Sequence, residues 1–138
     1  MAKFYKIIKT KILAANALID KKGVIIMNID SVNKIALSEA HNLANLAEYA
    51  TGAIVSREIV NKKVGTLTVF AFDAGQGLSE HSAPFDAIVQ ILDGSSEWTI
   101  GGEPVSCGAG EIMIMPANVP HAVKAEQRFK MLLTMIKA

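Results

Sequence analysis

From Ala53 to the end of this 138-residue chain, no segment combines helical length with helical period. The apolar runs are strand-sized, and Gly, Pro, Asn or Asp interrupts each of them. GTLTVFAF alternates cleanly, with Thr66, Thr68 and Phe70 set against Leu67, Val69 and Ala71. AIVSREIV precedes it and ends on an Asn61-Lys62-Lys63 turn. LSEHSA follows a turn at residues 73–77 and stops at Pro84, and DAIVQILDG closes on Asp93-Gly94, a favourable turn pair. Glu97–Ile100, EIMIMP, HAVKA and RFKMLLTMIK complete a set of about nine short strands. Such spacing is that of a sandwich or barrel, so the predicted fold class is all-β, a jelly roll. Trp98 falls on an expected edge strand, where packing accounts for it more simply than a dimer contact.

Upstream the period changes. In HNLANLAEYATG, Leu43, Leu46, Ala47 and Ala50 recur at helical spacing, with Asn42 able to cap the first turn and Gly52 able to end the last. A short N-terminal helix over 42–50, lying against one end of the barrel, is expected. His41 precedes it and reads as exposed. Residues 28–36 read as an arm or short strand. Residues 1–26 form a basic leader, too short and too interrupted in its apolar part to span a membrane, and expected to be flexible or loosely docked. Met27 is an alternative start. The expected organisation is therefore a leader, 1–26, and one barrel domain, 27–138, whose core spans 53–138.

Composition excludes several function classes. Hydrophobic residues make up 51% of the chain and charged residues 20%, enough for a packed core. Six of the fourteen basic residues and one of the thirteen acidic residues fall in 1–22, a local charge of +5, which leaves −4 for the rest. A mildly acidic barrel carries no electrostatic footprint for nucleic acid, and nothing supports stable membrane insertion. A cytoplasmic protein is expected. The one cysteine, Cys107, rules out an internal disulfide framework and reads as a small filler. There is no solenoid repeat, no glycine-rich phosphate loop and no CxxC pair. Ser79, Ser82, Ser95 and Ser96 lack a motif that would set them beside a base, and both tyrosines precede the barrel.

Two histidines stand out. His81 lies in GQGLSEHSAPFDAIVQILDG and His121 ends GEIMIMPANVPH, each where a turn-rich edge meets an apolar strand. In these residues the chain resembles the cupin superfamily, whose motifs are G-x5-H-x-H-x3,4-E-x6-G and G-x5-P-x-G-x2-H-x3-N. Gly75, His81 and Gly94 match the first, and Gly110, Pro116 and His121 match the second. The resemblance covers roughly residues 53–138 and is closest to the single-domain conserved-barrel cupins of unassigned function. It implies a double-stranded β-helix with His81 and His121 in one pocket. Four positions depart from the motifs: Ala83 replaces a histidine, Ala87 a glutamate, Asn118 a glycine and Ala125 an asparagine.

The resemblance thus implies a metal site reduced to two of four usual ligands, His81 and His121, with a divalent Zn, Fe, Mn or Ni as the candidate cofactor. Two imidazoles alone bind metal weakly, and transition-metal sites usually have three or more protein ligands. Asp86, Glu80 and Gln90 are the nearest further donors, and strand parity turns them away from the pocket. Phe85, Val89, Met113, Met115 and Met131 are the candidate lining, giving a mostly apolar cavity with two polar points. Three readings stay open: a binding cupin without a strong metal site, a metal-dependent dioxygenase, isomerase or lyase, and a homodimer with a vestigial pocket that pairs through residues 28–36 or 53–60.

Overall fold

The computed structural model describes residues 35–137 and the backbone of residues 11–14, 17–19 and 25–28. Eleven strands are assigned among them: β1 Lys11–Ala14, β2 Ala17–Ile19, β3 Ile25–Asn28, β4 Ala53–Lys62, β5 Gly65–Phe72, β6 Gly77–His81, β7 Ala87–Ile100, β8 Glu103–Gly108, β9 Ile112–Met115, β10 His121–Lys124 and β11 Phe129–Ile136. Three of these strands come from the stretch 11–28. The rest of the leader, and most of the expected arm at 28–36, lie outside the described residues. No helix among the described residues is long and apolar enough to cross a membrane.

The strands form a curled jelly roll with two walls. The first wall runs β1-β2-β3-β4-β5-β11-β7-β9, and the second runs β6-β10-β7-β8. All pairings are antiparallel except β3 with β4. Strand β4 is paired with β5 along its length and with β3 at residues 53–56, so this part of the expected pairing edge 53–60 is covered.

The walls share one strand. The first half of β7 pairs with β11 and β9 in the first wall, and its second half pairs with β10 and β8 in the second. This corrects the expectation that Asp93-Gly94 closes a hairpin: the chain keeps its strand pairing through both residues. The register against β11 slips by one there, which leaves Leu92 as the extra residue of a bulge. Gly94 has φ +72°, and a Cβ on it would collide with the carbonyl oxygen of Arg128. Hairpin turns and bulges both recruit glycine for its left-handed backbone, so the dipeptide marks a bend without saying which kind. The edge placement of Trp98 is corrected, since β7 has neighbours on both sides at that residue, while its expected packing holds: the ring is buried, with Nε1–H donating to Ser96 Oγ at 2.7 Å.

Strict alternation divides β5 and β11 into two faces. Phe70, Phe72, Phe129, Met131, Leu133 and Met135 enter the core between the walls. Val69, Ala71 and Leu132 face outward, where Leu46 and Ala47 of the lead-in cover them. Both clusters form because burying apolar area is favourable at roughly 25 cal/mol per Å².

The lead-in is not the expected helix over 42–50. It makes one 3-10 turn, Leu43–Leu46, which Asn42 does not cap with its side chain, and Ala47 is already extended. Its backbone is claimed by the sheet beneath it. The Ala44 carbonyl, a helical acceptor in the expected arrangement, instead accepts a hydrogen bond from the buried Lys130 Nζ at 2.6 Å. Tyr49 donates to Asp93 at 2.5 Å and lies under the cations of Arg128 and Lys130. Burial and the Asp93 carboxylate push the Tyr49 hydroxyl well above the usual phenol range. Gly52 adopts φ +68° and donates its N–H to Asp73, whose other oxygen accepts from Arg128 Nε. These bonds hold the Asp73 carboxyl below its ordinary range, the Gly52 N–H contributing most.

Candidate functional site

His81 is the last residue of β6 and His121 the first of β10, and the two strands pair with these residues opposite each other. Their rings stand edge to face, 4.4 Å between centroids and 70° between planes. Both are buried, His81 at 9% exposure and His121 at 2%. Each is fastened to the carbonyl two residues before it: His81 Nδ1 is 2.6 Å from Ser79 O, and His121 Nδ1 is 3.1 Å from Val119 O. A carbonyl only accepts, so the proton resides on Nδ1 in both rings and the lone pair on Nε2.

Burial disfavours the imidazolium form of both residues. It drives His81 down to about 4, with the Ser79 carbonyl pulling back and His121 adding to the depression. His121 is also lowered by burial, opposed by the Val119 carbonyl. At neutral pH the pair is therefore two uncharged imidazoles, each with one hydrogen-bond acceptor.

Three of the four replaced motif positions fall near this site, while Ala125 lies past the other end of β10, where it exchanges backbone hydrogen bonds with Gly75 and Gln76. Ala83 and Ala87 are buried in the core beside it, at 3% and 2% exposure, so two inward-facing positions carry methyl groups in place of donors. Asn118 has φ +64°, the conformation a glycine would otherwise supply, and its N–H donates to Ala83 O at 2.7 Å. Asp86 is exposed and caps the loop after β9 by accepting from Ala117 N at 2.8 Å. Glu80 and Gln90 are exposed as well.

Among the described residues no group of three or more His, Cys, Asp or Glu is placed to hold a metal ion. Two Nε2 donors do not fit a resident metal of the usual three-ligand type. Of the predicted lining, Val89, Met115 and Met131 are fully buried on the inner face of the first wall, and Met113 and Phe85 pack against them half-buried. Phe85 also borders a shallow outer groove with Ile88 and Ile114. Cys107 is buried among the same core, and that burial raises its thiol above the usual range, a filler with no thiolate character.

Sequence reasoning passed over two polar residues of the interior. Thr66 and Thr68 share the parity of Phe70 and Phe72 and are buried at 1% and 5%. The signal was present in that parity, but threonine in an alternating strand suggests the solvent face.

A family model described as a cupin domain matches residues 68–136. The chain belongs to the cupin superfamily. A conserved protein of unknown function from Streptococcus pyogenes is 36% identical over 77% of this cupin and 93% of its own chain, with a TM-score of 0.73. A cupin 2 conserved barrel domain protein from Leptotrichia buccalis is 44% identical over 70% of this chain, but the match spans 47% of that protein, at a TM-score of 0.69. A cupin superfamily protein from Desulfitobacterium hafniense, 23% identical over 77% of this chain and 97% of its own with a TM-score of 0.72, shares the fold. Among curated proteins, no sequence matches this cupin.

Proposed function

We propose that this cupin binds a small, mostly apolar molecule between its two walls, anchored by hydrogen bonds donated to Nε2 of His81 and His121, with no resident metal. The observation that carries the reading is the paired orientation of the imidazoles. Both rings are held by backbone carbonyls in the tautomer that presents a lone pair, and both are kept neutral by burial. Alanines at two inward positions leave a donor set of two, which suits a neutral ligand better than a catalytic cation. The methionines of the core, Met115, Met131 and Met135, can adapt to irregular apolar shapes.

Elemental mass spectrometry of tag-free protein purified without chelator tests this. Metal far below one equivalent, with no rise in melting temperature on adding Zn, Fe, Mn or Ni, is the expected result. One tightly held transition metal per chain would overturn it and would favour the metal-dependent enzyme. The proposal includes a homodimer, supported by β9, which among the described residues pairs only with β7 and exposes Ile112 and Ile114. Sedimentation at micromolar concentration should show a dimer.

A further inference from the structure

The hydroxyls of Thr66 and Thr68 are buried side-chain oxygens with no hydrogen-bond partner. An unmet buried hydroxyl is destabilising, a penalty that an isosteric valine would remove. Two of them, two residues apart on one strand face, form a feature that the apolar description of the pocket does not explain.

Their position in the fold gives one. Across the first wall Thr66 lies opposite Met135, Met135 opposite Ala87, and Ala87 opposite Met115. The next row is Thr68, Leu133, Val89 and Met113. Two separate connections bring the histidines to this end of the barrel. The chain leaves His81 in the second wall and enters the first wall at Ala87, and it leaves the first wall at Met115 and enters the second at His121. The link is closed by the Asn118 N–H bond to Ala83 O. Thus the threonine rows and the histidine pair belong to opposite walls at the same end of the barrel.

We infer that Thr66 and Thr68 are ligand-binding residues that fix the second polar end of the molecule whose first end is held by His81 and His121. The inference rests on the lumen reading proposed above and sharpens its ligand class. The molecule is neutral and bifunctional, with an O–H or N–H donor for the imidazoles, a short apolar middle against the methionines, and a second group that exchanges hydrogen bonds with hydroxyls. A threonine hydroxyl both donates and accepts, so an alcohol, an amide or a carbonyl satisfies the second end.

Matched probes test it: the terminal diols from ethylene glycol to 1,6-hexanediol and the 1-alkanols of equal carbon number. Binding is followed on the full chain by the histidine ring C–H and threonine methyl signals in heteronuclear NMR. For the best chain length, the diol should bind wild type at least about tenfold more tightly than its alkanol. The double variant Thr66→Val plus Thr68→Val should melt no lower than wild type, bind the alkanol unchanged and lose the preference for the diol. Equal affinity of diol and alkanol in wild type, or a preference that survives in the valine variant, would overturn the inference while leaving the histidine anchor intact. A lower melting temperature of the valine variant would also overturn it, since the hydroxyls would then be satisfied within the protein. Histidine signals that move with no probe would overturn both this inference and the lumen reading.

Discussion

The two ends of the core between the walls are built from the same strands and have opposite character. At one end Phe72 and Phe129 stack at 4.5 Å, nearly parallel, with Ile54 beside Phe72 and the bulge at Gly94 opposite Phe129. That end is filled with large rings, and Ser96, buried two residues past the bend, is satisfied by the Cys107 carbonyl and the Trp98 Nε1–H. At the other end the same β5 and β11 carry Thr66, Thr68, Leu133 and Met135, with Ala87 beside Met135 in the same wall and the two histidines in the opposite wall. Small residues and methionines replace rings, and polar atoms appear. The aromatic end is built for stability, and the proposed binding function falls to the other end.

Substitutions that attack the two ends should therefore differ in kind. Phe129→Ala should destabilise most, by about 3–5 kcal/mol in urea titration, because it empties half of the ring stack. Its effect on ligand affinity, measured above the stability limit, should be small.

Next in size is the response to acid. The folded His81 is depressed to about 4 while its unfolded value is near 6.5, so between these values the unfolded chain binds the extra proton. Stability from this group is complete above about pH 6.5 and falls as pH drops toward 4, by about 3 kcal/mol in all. His81→Gln should flatten that part of the profile, read by melting temperature at successive pH. Asp73, whose carboxyl is held low, contributes a separate loss at lower pH. A profile flat from pH 6.5 to 4 in wild type would erase the contrast between a dry aromatic end and a polar one.

The smallest effect concerns the loop that seats His121. Asn118→Ala should cost about 1 kcal/mol through its left-handed backbone, and Asn118→Gly should be near neutral. Equal melting temperatures for the two variants would mean that the loop relaxes and does not hold the histidine end rigid.

Much of this arrangement was legible in the sequence. The strand-sized runs between Gly, Pro, Asn and Asp place the barrel, and the resemblance carried by Gly75, His81, Gly110 and His121 implies the pair. What escaped did so for physical reasons. Asp93-Gly94 satisfies the local chemistry of a turn and of a bulge equally, and only the partner strand β11 decides between them. The helical spacing of Leu43, Leu46 and Ala47 is overridden once Lys130 takes the Ala44 carbonyl, a bond to a residue 86 positions away. Thr66 and Thr68 were visible as an alternation, but which face is inner depends on what covers the outer one, and here the lead-in does.

The shared strand β7 has a mechanical consequence. Because one covalent segment runs through both walls, and the bend at Gly94 is wedged against the Arg128 carbonyl, the walls cannot separate like the covers of a book. Their spacing is tied to that strand. On the proposed function, selectivity for ligand length would then reside in the side chains between the walls, where single substitutions can retune it without remaking the barrel.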